Sequence, residues 1–325
     1  MYNRKNIITA AEKLVKSKVQ ALESLSDKLS DGFVDAVELI LDCKGKVIVS
    51  GIGKSGHIAN KIASTLSSIS VPSVFLHPSE ASHGDMGLIT KQDVLVVLSN
   101  GGESQEIYDL LNYANENGNR IIAIVGNKNS TLYEKSDIKI LIPNHGEGTS
   151  LKAPMISTSM MLTCGDAIAA AIISERHITN DEFKKTHPGG KIGASLLTVK
   201  DVMRQGEKIP VVTASVNMSE ALLQMTKKSL GVTAVLEEGK LVGVISDGDI
   251  RRHMSHDLAQ KKAEEVMSRS PTTITTDMLV VEALRVMNDK KITSLFIVDN
   301  TRALQGVIHM HDCIMLGIKQ IDSEE

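Results

Sequence analysis

Along the chain, short apolar runs alternate with stretches in which apolar residues recur every third or fourth position. The runs cover 46–50, 73–77, 93–99, 120–126 and 137–142. Their length and β-branched content fit buried strands, and the intervals between them are long enough for crossover helices. Such alternation predicts a parallel sheet covered on both faces, with ligands at the carboxyl ends of its strands. Ahead of the sheet, Ile8, Ala11, Val15, Val19, Leu22, Leu25 and Leu29 keep helical spacing with charges between them. They predict a long amphipathic helix over 5–30, and a second helix follows over 31–41. Helices in that place either pair subunits or cover their own sheet.

Beyond residue 200 the pattern repeats. Val202-Met203 recurs as Val266-Met267, Glu220-Ala221-Leu222 as Glu282-Ala283-Leu284, and Gly243-Val244-Ile245 as Gly306-Val307-Ile308, at an offset of 60 to 64 residues. A helix, a strand, a turn and a second strand in each copy predict two similar modules that pack as a pair. Asp249 in S-D-G-D and Asp312 in H-M-H-D hold matching places, where a carboxylate can take a pair of ribose hydroxyls.

The turns after the strands carry the chemistry. V-I-V-S-G-I-G-K-S-G-H over 47–57 is a strand, a glycine turn and a helix start. Free N–H groups, the Lys54 charge and the Ser55 hydroxyl there suit a phosphate. Gly51, Gly53 and Gly56 satisfy G-x-G-x-x-G, but a dinucleotide site wants an acidic residue ending the second strand, and this one ends in His77-Pro78. A P-loop needs Lys and then Ser or Thr after its last glycine, whereas this chain has His57-Ile58.

After the third strand, Ser99, Asn100, Gly101, Gly102 and Ser104 form a second small, hydroxyl-bearing loop at a helix start. Such a loop holds phosphate through N–H and hydroxyl groups without a metal. Glu103 and Glu106 beside it either complement the helix dipole or, for Glu103, do chemical work. The loop P-N-H-G-E-G-T-S-L-K-A-P over 143–154 supplies Glu147. At K-T-H-P-G-G, Pro188 forces His187 out of the helix, and His187 is either a turn residue or a chemical one.

Composition narrows the partners. The net charge of −3 is spread out, and four Tyr, four Phe and no Trp leave little surface on which bases stack, which argues against nucleic acid. Cys43, Cys164 and Cys313 lack C-x-x-C spacing and read as core thiols of a reducing compartment. Arg4, Lys5, Glu12 and Lys13 leave the N-terminus without the apolar core of a signal peptide. The run 155–173 contains Asp166 and several hydroxyls, so a buried domain helix is expected rather than a membrane span. These readings place the protein in the cytoplasm.

Taken together, G-I-G-K-S-G-H, H-P-S-E-A-S-H-G-D-M-G, L-S-N-G-G-E-S-Q-E-I and K-T-H-P-G-G, followed by two repeats, resemble the D-arabinose 5-phosphate isomerase family over essentially the whole chain. That family joins a sugar isomerase (SIS) domain to a tandem pair of cystathionine β-synthase (CBS) modules. The resemblance implies an α/β fold: a SIS domain over 1–195 with a five-stranded parallel sheet flanked by helices, then CBS modules of α+β repeats over 196–258 and 259–325. It implies interconversion of D-ribulose 5-phosphate and D-arabinose 5-phosphate through an enediolate, the first step towards the eight-carbon sugar Kdo of lipopolysaccharide or capsule. No cofactor and no metal are implied.

Carried over by motif, Lys54 lies near the phosphate or developing oxyanion. Glu103 leads as the proton-transferring carboxylate, and Glu147 comes second. His187 is an acid/base or ring-opening residue entering from a neighbouring subunit of a homotetramer, and His83 shapes the pocket. Ser50, Gly53, Ser55, Ser99, Asn100, Gly101 and Ser104 hold the phosphate, although the family has a serine where Gly101 stands. The CBS pair resembles nucleotide sensors, with Thr233, Asp249, Thr293 and Asp312 as contacts for an adenine nucleotide or a Kdo nucleotide. The competing readings are a SIS sensor without catalysis and an isomerase of another sugar phosphate.

Overall fold

The computed structural model describes residues 2–187 and 189–317; Pro188 of the H-P-G-G turn lies outside them. The described residues divide into two compact units that part between Thr186 and His187. The stretch 189–195, grouped with the first domain by its motifs, belongs to the second unit, where Ala194 and Leu197 pack on the core of the second repeat.

The first unit runs α1 (Arg4–Ser26), α2 (Asp31–Leu41), β1 (Val47–Gly51), α3 (Gly53–Ser68), β2 (Ser73–Leu76), α4 (Pro78–Ser82), β3 (Val94–Ser99), α5 (Gln105–Asn117), β4 (Arg120–Val125), α6 (Thr131–Lys135), β5 (Ile138–Leu141), α7 (Ile156–Arg176) and α8 (Asn180–Thr186). Its five strands form one parallel sheet in the order β2-β1-β3-β4-β5. Successive side chains of a strand face opposite ways, so each apolar run feeds two cores. Val47, Val49, Val96 and Ile122 pack with α1, α2, α3 and α7. Ile48, Leu95, Val97 and Ile121 pack with α4, α5 and α6. Asp93 locks the start of β3 to β1, accepting from the Lys46 ammonium at 2.7 Å, the Lys46 N–H at 2.8 Å and the Thr90 N–H at 2.8 Å.

Two expectations about helices meet the structure directly. α7 is long and apolar enough to cross a membrane, yet Met160, Met161, Cys164 and Ile168 are buried on the core it shares with α3. Of α1, the last turns cover the sheet through Ala21 and Leu25, while Ile8, Val15 and Val19 are each at least half exposed.

The second unit contains α9 (Gly190–Ser195), α10 (Val199–Val202), β6 (Val211–Thr213), α11 (Met218–Lys228), β7 (Val232–Glu237), β8 (Lys240–Ser246), α12 (Asp247–Arg252), α13 (Ala263–Val266), β9 (Ser268–Arg269), β10 (Thr273–Ile274), α14 (Val280–Lys290), β11 (Ser294–Val298), β12 (Leu304–His309) and α15 (Met310–Met315). Its sheets are ordered β6-β7-β8-β9 and β10-β11-β12. The repeats interleave. β9, which opens the second repeat, pairs with β8 of the first, and Arg204, which opens the first, bridges to Val307 of the second. A side chain on Gly243 would strike Met267 Sδ at 2.4 Å, and one on Gly306 would strike Met203 Sδ at 2.7 Å. Each lead-in segment therefore sits on the other module.

Candidate active site

The order β2-β1-β3-β4-β5 lines up five loops along one edge of the sheet: His83 after β2, Lys54 and Ser55 after β1, Ser99–Ser104 after β3, Ser130 and Thr131 after β4, and Glu147 after β5. Four of these loops lead into helices whose first N–H groups need partners. At α3 and α5 no side chain caps the N-terminus. At α6 and α7 a carboxylate does. Two open helix starts therefore stand beside two occupied ones, and an anion is directed to the open pair.

The β1–α3 turn depends on close approach. Gly56 sits so near β1 that a Cβ would lie 2.6 Å from the Gly51 carbonyl oxygen. Lys54 is exposed at the second position of α3 and has no ion-pair partner among the described residues. Ser55 Oγ points to Met161 Sδ at 3.6 Å. Ser50 differs from its expected role: its hydroxyl is fully buried and donates to the Leu76 carbonyl at 2.6 Å, tying β1 to the end of β2. With its proton spent inside the sheet, Ser50 has none to give a phosphate.

In the β3–α5 loop, Ser99 Oγ accepts from the Gly102 N–H at 2.9 Å, and Gly102 is left-handed at φ +72°. A Cβ there would lie 2.2 Å from Ser130 Oγ, so only glycine fits. Asn100, Gly101 and the start of α5 at Ser104 remain at the surface, and nothing within 4 Å opposes a side chain at Gly101.

The two glutamates do not play matching parts. Glu103 turns away from the α3 start: it accepts from the Thr131 N–H at 2.8 Å, the Thr131 hydroxyl at 3.1 Å and the Tyr108 hydroxyl. The Tyr108 bond, with Thr131 behind it, holds its carboxyl below the usual carboxylate range and raises the Tyr108 phenol. Glu147 folds over the start of α7, accepting from Met155 N–H at 2.6 Å, Ile156 N–H at 2.8 Å and the Ser157 hydroxyl at 2.5 Å. Burial works against its ionisation, but the Ser157 hydroxyl and these N–H groups outweigh it and lower its pKa.

Position separates them further. α3 and α7 lie on one face of the sheet, α5 and α6 on the other. Met161, which touches Ser55, is one turn (~6 Å along the axis) from Ser157, which touches Glu147. Glu147 thus belongs with the α3–α7 face of the sheet, and Glu103 with the α5–α6 face. Each carboxylate keeps acceptor capacity on one oxygen, because an oxygen has two lone-pair directions and Glu147 Oε1 and Glu103 Oε1 each accept one donor.

His83 caps the end of α4 and is exposed, with Nδ1 2.7 Å from the Ser79 carbonyl. A carbonyl only accepts, so Nδ1 carries the hydrogen. α4 is tied to α5 by Ser82 Oγ donating to Asp109 at 3.0 Å, which keeps the end of α4, with His83, beside α5. His187 opens the second unit, immediately after α8.

In the second unit Asp249 is buried and caps α12, accepting from Ser246 N–H at 2.8 Å, Ser246 Oγ at 2.6 Å, Ser268 Oγ at 2.6 Å and Arg252. Burial opposes its charge, yet the Ser246 and Ser268 hydroxyls outweigh burial and lower its pKa. Asp312 caps α15 and takes a forked contact from Arg204 at 2.8 and 3.2 Å. The two aspartates are equivalent, as the repeat requires, but the threonines are not. Thr233 pairs with Ile245 as Leu295 pairs with Ile308, whereas Thr293 uses its carbonyl for Met310 N–H as Gly231 does for Asp247 N–H. Thr233 Oγ1 is buried without a hydrogen-bond partner; Thr293 is exposed.

Sequence reasoning missed Tyr108, Thr131 and Ser157, because their link to the glutamates is made by the fold. Only the spacing from Glu103 to Tyr108 was open to inspection.

The SIS domain family matches residues 39–171, and the CBS domain family matches 199–256 and 263–318. An uncharacterized protein of Rickettsia prowazekii, RP505, is 42% identical over 98% of this chain and 100% of its own length. The arabinose 5-phosphate isomerase KdsD of Pseudomonas aeruginosa is 41% identical over 96% of this chain and 98% of its own. Among solved structures, E. coli CFT073 c3406 in complex with arabinose 5-phosphate superposes with a TM-score of 0.56 at 34% identity, covering 57% of this chain and all of that one.

Proposed function

The chain belongs to the arabinose 5-phosphate isomerase family, and from that premise we propose that it interconverts D-ribulose 5-phosphate and D-arabinose 5-phosphate. The observation that carries the reading is the pair of uncapped helix starts, α3 and α5, with Lys54 on one and a carboxylate, Glu147, on the same side of the sheet.

An aldose–ketose exchange moves a proton between C2 and C1 while an enediolate forms between them. The phosphate sits on the N–H groups and hydroxyls of 99–104 and Ser55. Glu147 Oε1 lifts the proton beside the carbonyl and returns it to the neighbouring carbon, the hydroxyl proton passes from one oxygen to the other, and the Lys54 ammonium stabilises the developing oxyanion. Glu103 holds the loop. His83 offers Nε2 to a sugar hydroxyl, and His187, supplied by a neighbouring subunit of a homotetramer, opens the sugar ring. The product feeds the route to Kdo in the cytoplasm, and the CBS pair takes an adenine nucleotide or a Kdo nucleotide as effector, with Asp249 and Asp312 as its contacts.

The test is incubation with D-arabinose 5-phosphate in heavy water, following C1 and C2 by NMR. Ribulose 5-phosphate with deuterium at the exchanging carbon is expected. Binding without exchange, with hexose phosphates also unreactive, would replace the isomerase by a sugar-phosphate sensor.

A further inference from the structure

Glu103 puts a carboxylate in the loop that must receive a phosphate dianion. Left free, that charge would repel the ligand across the loop. Both its oxygens are instead drawn to one place. Oε1 accepts from the Thr131 N–H, and Oε2 from the Thr131 hydroxyl and the Tyr108 hydroxyl. Thr131 opens the helix after β4, and Tyr108 lies one turn into α5, so the three residues join the loop to two helices on a single face of the sheet. Gly102 cannot yield, because Ser130 packs where its side chain would be. The loop is fixed at Gly102 by contact and at Glu103 by hydrogen bonds.

We propose that Tyr108 is a positioning residue for phosphate: with Thr131 it clasps Glu103 away from the β3–α5 loop, so that the loop's N–H groups face a dianion without the Glu103 carboxylate against it. This rests on reading 99–104 as the phosphate loop. Tyr108 does not touch the reacting carbons, so its effect falls on binding and leaves the proton transfer alone. A phenol donating to a carboxylate is among the stronger hydrogen bonds, and at an exposed site its loss weakens phosphate binding roughly three- to tenfold.

The experiment uses the full chain with Tyr108→Phe and, separately, Thr131→Val, which keeps the N–H and removes the hydroxyl. Inorganic phosphate binding is measured by calorimetry, and KM and kcat with D-arabinose 5-phosphate. The expected result is a weaker phosphate Kd and a KM raised by a similar factor in both variants, with kcat within about twofold of wild type. Unchanged phosphate affinity in the folded variants overturns the clasp, as does a fall in kcat at constant KM. Should wild type bind phosphate without turning over the pentose phosphate, the isomerase reading fails while the phosphate titrations still decide the role of Tyr108. A wild type that binds no phosphate overturns both.

Discussion

Ser55 Oγ stands 3.6 Å from Met161 Sδ, and through that contact the first turn of α3 is pinned beside the first turns of α7. Glu147, which caps α7, is carried with it to the lysine-bearing turn although 92 residues separate Ser55 from Glu147 in sequence (147 − 55).

Glu147→Gln is therefore expected to reduce kcat by about a hundredfold or more while changing KM little, since the amide keeps the shape and loses the base. The same change removes an anion from a helix start and lowers stability by about 0.3–1 kcal/mol. Deuterium exchange at the substrate carbon separates the two effects: exchange at the wild-type rate in this variant would move the base elsewhere.

Gly101→Ser adds a hydroxyl to this loop. Nothing within 4 Å of the Gly101 Cβ position opposes it, and its φ lies outside the left-handed region. KM is expected to fall up to severalfold, in line with one added hydrogen bond to a charged group, with no change in melting temperature. A raised KM would show that the serine points away from the phosphate.

The acid limb of the rate should lie low. Hydrogen bonds depress Glu147 below its ordinary value of 4.5, so the base form persists as pH falls and is lost only on passing below that value. A profile of kcat/KM against pH whose acid limb has a midpoint near 6 would contradict this assignment.

Asp93 gives a stability counterpart. Burial opposes its charge, but the Lys46 ammonium and the Thr90 and Lys46 N–H groups more than compensate and place its pKa below 3.8. Its stabilisation is thus fully present above the unfolded value and disappears as pH drops through the folded one. Asp93→Asn should cost about 1–3 kcal/mol at neutral pH by urea unfolding, and the gap from wild type should close in acid. A constant gap would assign the loss to packing.

Thr233→Val replaces a buried hydroxyl that has no partner. Removing an unsatisfied oxygen of that kind should raise stability by about 1 kcal/mol and the melting temperature by a few degrees. A variant that melts lower would mean that the hydroxyl is satisfied in solution, and loss of nucleotide binding in calorimetry would make it a ligand contact.

The sheet was legible because its central strands β1, β3 and β4 are short runs such as Val94–Leu98 that are buried on both faces. The turns after β1 and β3 were legible because glycine and serine at the end of a strand mark a tight passage into a helix. What was not legible is direction. Nothing near Glu103 in sequence says that Thr131, 28 residues on, will take its carboxylate, or that Glu147 will cap a helix that starts nine residues later (156 − 147). Ser50 looked like a ligand residue for the same reason: its partner, the Leu76 carbonyl, arrives from the next strand. Side-chain type survives in the sequence, but the choice among partners is made by strand order.

The reciprocal lead-in segments of the second unit set a schedule for synthesis. As the chain leaves the ribosome, the first repeat emerges with its sheet one strand short, because β9 is encoded after it, and Arg204 must wait for Asp312 to be made. Neither half can finish alone, so the tandem modules come into being together as one cooperative body.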